Sequence, residues 1–129
     1  RLKMSVGRMA TYLQGYGDLM VSTNHWDPAV LERFRRDPFV AGFRGAIDNT
    51  ATTSELEHVA TLIPSEWLAA AGLGTPAECA DAVLRQMDLG ADSVIIHGAT
   101  PAELAPMVHA YRAIRPAGRF DHLAANPGA

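Results

Sequence analysis

The run Gly90-Ala91-Asp92-Ser93-Val94-Ile95-Ile96-His97-Gly98, continued by Ala99-Thr100-Pro101-Ala102-Glu103, constrains this chain more than any other stretch. Ser93 to Ile96 is small and then aliphatic, and glycines bracket it, which predicts a short strand. A near-continuous apolar run predicts burial on both faces, as in a parallel sheet flanked by helices. Thr100 is a good N-cap, Pro101 suits the first helical position and Glu103 can close a capping box, so a helix is predicted from 101. Gly74-Thr75-Pro76-Ala77-Glu78 carries the same start signal earlier in the chain. Thr-Pro-Ala-Glu at 75–78 and again at 100–103 has the spacing of a βα repeat.

Composition narrows the function classes. The 129 residues are 48% hydrophobic and 19% charged, enough apolar material for one domain with a core. A net charge of −3 leaves no basic excess, so nucleic acid is not an expected partner. Arg33-Phe34-Arg35-Arg36, flanked by Glu32 and Asp37, reads as a solvated helix face. Cys79 is the only cysteine; this excludes an intrachain disulfide and fits a reducing, cytoplasmic setting. No run approaches the ~18 apolar residues of a membrane helix, and no signal-peptide pattern is present. The chain begins at Arg1 rather than Met, so a processed product or a piece of a longer protein is expected.

Leu2, Val6, Met9, Ala10 and Leu13 predict an amphipathic helix to about Gln14, with Gly15 and Gly17 making its continuation doubtful. Asn24-His25-Trp26 reads as a turn, and Asp27-Pro28 caps a short helix that stops before Pro38. Residues 38–50 fit a loose helix or an irregular packed loop equally well. Thr52-Thr53-Ser54-Glu55 is a capping-box candidate for a helix carrying Leu56, Val59, Leu62 and Ile63. Helices are predicted over 76–89 and 101–114. From Arg115 onward, proline and glycine predict a frayed tail.

This inventory divides into a mostly helical segment (1–72), two βα units (73–115) and a flexible tail (116–129), all within one partial domain. A lone parallel strand cannot satisfy its backbone groups, and a (β/α)8 barrel takes ~250 residues. The expected fold class is therefore α/β: the C-terminal part of a (β/α)8 TIM barrel, helix-rich with few short strands, or a half-barrel completed by a partner.

Ile63-Pro64-Ser65-Glu66-Trp67-Leu68, Gly74-Thr75-Pro76-Ala77-Glu78-Cys79 and Gly90 to Leu104 resemble the C-terminal part of the luciferase-like monooxygenases, flavin- or deazaflavin-dependent oxidoreductases. Ala10-Thr11-Tyr12-Leu13-Gln14-Gly15-Tyr16-Gly17-Asp18 and Trp26-Asp27-Pro28 are similar to preceding helices of that family, especially its actinobacterial deazaflavin-dependent branch. The resemblance covers most of the chain. It implies a TIM barrel and hydride transfer or oxygenation of a small organic substrate on FMN or the deazaflavin coenzyme F-420. It also implies a missing N-terminal half that carries much of the cofactor contact, so the chain alone is not expected to be active.

In TIM barrels phosphate is often held by the loops after the last two strands, at helix N-termini. On that reading Gly74, Thr75, Gly98 and Thr100 are candidate cofactor-binding residues, because free N–H groups and the positive helix end favour an anion. The plainer and favoured alternative is that both segments only cap helices, each cap worth ~1 kcal/mol; Glu78 and Glu103 weigh mildly against a close anion. His97, at the strand end, is a candidate contact to cofactor or substrate, against the favoured reading of a histidine bonded to a neighbouring loop. No residue can be assigned a catalytic role.

Cys79 lies near a helix start, where a thiol pKa can fall, but on the apolar side, which favours a buried inert thiol. The five histidines lack metal-ligand spacing, so no metal site is expected. Trp26 and Trp67 read as core or interface anchors. Gly15-x-Gly17 lacks the third glycine of a nucleotide fingerprint. Two functional expectations result: the C-terminal segment of a luciferase-like oxidoreductase, or a non-catalytic, helix-rich module that self-associates into homo-oligomers.

Overall fold

The computed structural model describes residues 2–69, 71–96, 99–119 and 121–122. The described residues form an all-α fold with neither strand nor sheet, which overturns the α/β assignment and the TIM barrel with it. Two compact units divide the chain at Ala70 and Ala71.

In the first unit a 3-10 turn, Leu2–Met4, leads into α1, Val6–Asn24. Val6, Gly7, Ala10, Leu13, Gly17 and Val21 are its buried residues, a spacing of three and four that places them on one helical face. Gly17 does not break the helix. It is there because α2, Pro28–Arg36, lays Leu31 across it: a Cβ on Gly17 would lie 2.6 Å from Leu31 Cδ1. The disturbance falls instead on Tyr16, whose φ of −128° and ψ of 17° kink the helix.

Short helices close the unit. Asp27 caps α2 by accepting from the Ala29 amide at 2.9 Å. Asp37 ends α2 and caps α3, Pro38–Gly42, accepting from the Phe39 and Val40 amides. The same Asp37 carboxylate lies 2.9 Å from His58 Nε2 on α5, Thr53–Ala60, which opens with the predicted capping box. Between α3 and α5 sits α4, Ile47–Thr50. Phe34, Leu13, Ile47 and Val59 are the largest fully buried side chains. Burial of such side chains, roughly 1.5–3 kcal/mol each, holds helices this short, which would not persist alone. A 3-10 turn, Ser65–Leu68, brings Trp67 against Trp26, rings stacked at 4.3 Å and 9°.

The second unit contains α6, Pro76–Asp88, and α7, Pro101–Ile114, packed on one another. Gly90, with φ of +100°, lets its amide reach the Met87 carbonyl while the Ala91 amide reaches that of Gln86. That pair of bonds is the Schellman motif. Gly90 and Ala91 therefore terminate a helix and do not open a strand. Residues 91–96 follow as a connector without helix or ladder. Ala91 apart, no amide of this connector has a backbone partner among the described residues, so the strand predicted from Ser93 is absent as far as Ile96. His97 and Gly98 lie outside the described residues, as does most of the tail. Within the tail's described part Arg119 pairs with Asp88 at 2.6 Å. No helix among the described residues is long and apolar enough to cross a membrane.

Candidate functional site

Of the predicted cofactor-binding residues, Gly74, Thr75 and Thr100 are described; His97 and Gly98 are not. Thr75 and Thr100 act as N-caps. The Glu78 amide donates to Thr75 Oγ1 at 3.3 Å, while the Thr75 amide and hydroxyl donate to Glu78 Oε2 at 2.7 and 2.9 Å. At α7 the Thr100 amide and hydroxyl both lie 2.7 Å from Glu103 Oε2, and the Glu103 amide 3.4 Å from Thr100 Oγ1. Thr52 and Glu55 make the same set of bonds at α5. The device thus starts helices in both units and is not peculiar to a βα repeat.

Gly74 is explained by this cap. Its φ is +124°, a conformation other residues rarely adopt, and a Cβ there would collide with the Glu78 carboxylate. Chemically, each helix N-terminus already holds an anion, its own glutamate. The Thr100 amide, more than the Thr100 hydroxyl, holds the Glu103 carboxyl below the usual carboxylate range, which keeps that charge in place near neutrality. An external phosphate would have to displace it.

The gap between α6, α7 and the connector is lined by Val83, Met87, Val94, Ile96, Met107 and Tyr111 and measures about 130 Å³. Ligand pockets usually have about 300–1,000 Å³, so this one is a packing defect between apolar side chains. Cys79, half-buried, donates its thiol to the Gly72 carbonyl at 3.1 Å. No group of three or more His, Cys, Asp or Glu could hold a metal among the described residues.

The sequence reading missed the polar centre of the first unit. The Asp48 carboxylate, buried on α4, lies 2.8 Å from the Thr11 hydroxyl, and the Asp48 amide donates to that same oxygen at 3.1 Å. Arg8 Nε is 3.0 Å from Asp48 Oδ2 without an aligned N–H, a charge contact more than a hydrogen bond. The group ties α4 to α1 and is structural. It also missed a cavity between the end of α1 and α2, although Asp18, Val21, Ser22 and His25 fall at helical spacing on one face. Comparison with protein-family models, curated proteins and solved structures finds no match.

Proposed function

We propose that the chain is a segment of a larger luciferase-like oxidoreductase, flavin- or deazaflavin-dependent, and catalyses nothing without further polypeptide. The observation that supports this reading is bare aliphatic surface in the second unit. There α6 and α7 pack together with Val94 and Ile96 against them, while Ile95 is 86% exposed and Leu89 83%. Leu89 and Ile95 leave aliphatic surface in water that further polypeptide would cover with a gain in free energy. The cofactor, FMN or the deazaflavin coenzyme, and the small organic substrate enter through the resemblance of residues 63–68, 74–79 and 90–104. Thr75 and Thr100 serve this function as caps that fix the starts of α6 and α7.

Titration with FMN and with the deazaflavin, followed by cofactor fluorescence, tests the reading. The chain alone should show no saturable binding, and the same chain expressed with its in-frame upstream sequence should bind one of the two. Tight binding by the chain alone, or none by the extended protein, overturns it. A second reading, a non-catalytic module that self-associates, rests on the same bare Leu89 and Ile95 together with half-exposed Ile114. Sedimentation separates the two: a concentration-independent monomer counts against self-association.

A further inference from the structure

We infer that the first unit binds a small organic cation with an apolar body in the cavity between the C-terminal end of α1 and α2. The cavity measures about 430 Å³, and Asp18, Val21, His25, Trp26, Leu31 and Glu32 are among its lining residues. That volume lies within the usual range of about 300–1,000 Å³ for ligand sites. Val21 and Leu31 belong to the buried core, so an apolar body resting on them would leave water for hydrocarbon. Trp26 is held by its stack on Trp67 and presents a fixed aromatic group, which attracts ammonium ions.

The sign of the ligand's charge follows from three features. Two lining residues, Asp18 and Glu32, are carboxylates, and among the described residues no lysine or arginine lines the cavity. The carbonyl end of α1 lies here with no basic residue in its last turn, and that end of a helix favours positive charge. Arg35 takes Asp18 at 2.9 and 2.7 Å and lies 4.0 Å from Glu32, which Arg36 reaches at 3.4 Å. Neither arginine lines the cavity, and a carboxylate has about four lone-pair sites, so capacity is left for a ligand.

His25 adds a fourth feature. Its φ of 55° is the left-handed conformation, which residues other than glycine adopt uncommonly. The Trp26 amide still reaches the Val21 carbonyl at 3.0 Å, closing a Schellman motif where glycine is the usual occupant. A strained residue kept at a cavity fits a binding role.

The test is a titration of the full chain with benzyltrimethylammonium, followed by the Trp26 indole N–H resonance, with benzyl alcohol as the neutral control. Saturable shifts centred on residues 18–32 and their direct contacts Arg35 and Trp67, and at least tenfold weaker binding of benzyl alcohol, are expected. Glu32→Gln should weaken binding roughly three- to fivefold, as loss of one exposed charge contact does. Ser22→Arg, at an exposed lining position, should abolish it without changing the thermal transition. Shifts that never saturate, equal binding of benzyl alcohol, or an unchanged affinity in both variants overturn the inference.

Discussion

Thr11 and Asp48, thirty-seven positions apart, exchange two hydrogen bonds: the hydroxyl lies 2.8 Å from the carboxylate and accepts from the Asp48 amide at 3.1 Å. The Gly7 carbonyl, 3.0 Å away, competes for the single hydroxyl proton. Thr11→Val leaves the buried Asp48 amide without its acceptor and should cost about 1–3 kcal/mol in urea unfolding. In a double-mutant cycle with Asp48→Ala the two losses should be non-additive by more than about 0.5 kcal/mol. Additive effects would show that the pair is not coupled.

The two glycines of α1 should respond oppositely to alanine. Gly17→Ala forces its methyl into Leu31 and should destabilise by about 1–3 kcal/mol, the range for overpacking. Gly15 has nothing within 4 Å of a built Cβ, so Gly15→Ala should gain about 0.5–1 kcal/mol from helix propensity. Thermal midpoints moving in the same direction would contradict this account.

Acid should loosen the α1–α2 pairing. The Arg35 hydrogen bond, ahead of the opposing effect of burial, holds the Asp18 carboxyl below its ordinary value. A depressed folded pKa stabilises fully above the unfolded value, about 3.9 for aspartate, and the contribution is lost as pH falls through the folded value. Asp18→Asn should flatten the stability profile in that window and leave neutral-pH salt sensitivity lower. An unchanged acid limb would assign the transition to other carboxylates, Glu55 and Glu103 first among them.

Burial separates two apolar residues of the second unit. Ile95→Asp should change stability by less than about 0.5 kcal/mol, as exposed positions do, yet prevent completion by additional polypeptide. Met107, buried on α7, should cost about 2–5 kcal/mol on truncation to alanine. Cofactor binding by the extended protein reads out the first, urea unfolding the second.

Four helix starts were legible because each is written in adjacent residues: Asp27-Pro28, Thr52 with Glu55, Thr75 with Glu78, Thr100 with Glu103; those of α3 and α4, within residues left open between loose helix and loop, were not. The strand was not, because Ser93–Ile96 shows only that its side chains are apolar. A strand exists by pairing, and the chain offers no second run of that kind to pair with. Gly90 brackets the apolar run in sequence, and in the fold it is the left-handed end of α6. Gly17 makes the helix's continuation doubtful in sequence, whereas in the fold it makes room for Leu31, a relation between helices that local propensity does not contain. The caps at Thr75 and Thr100 were visible in advance; the need for glycine at 74 was not, since it comes from the fold of the Glu78 side chain back onto the cap. The cavity beside His25 was not, since its lining is shared between α1 and α2.

Asp37 closes one helix, opens the next and receives His58 from a third. Three helices therefore take their spacing from a single carboxylate, and the linkage has no slack. Adding one residue between Arg36 and Pro38 would carry that carboxylate away from either the amides or the imidazole. Natural variation in loop length has to be accommodated elsewhere in the chain.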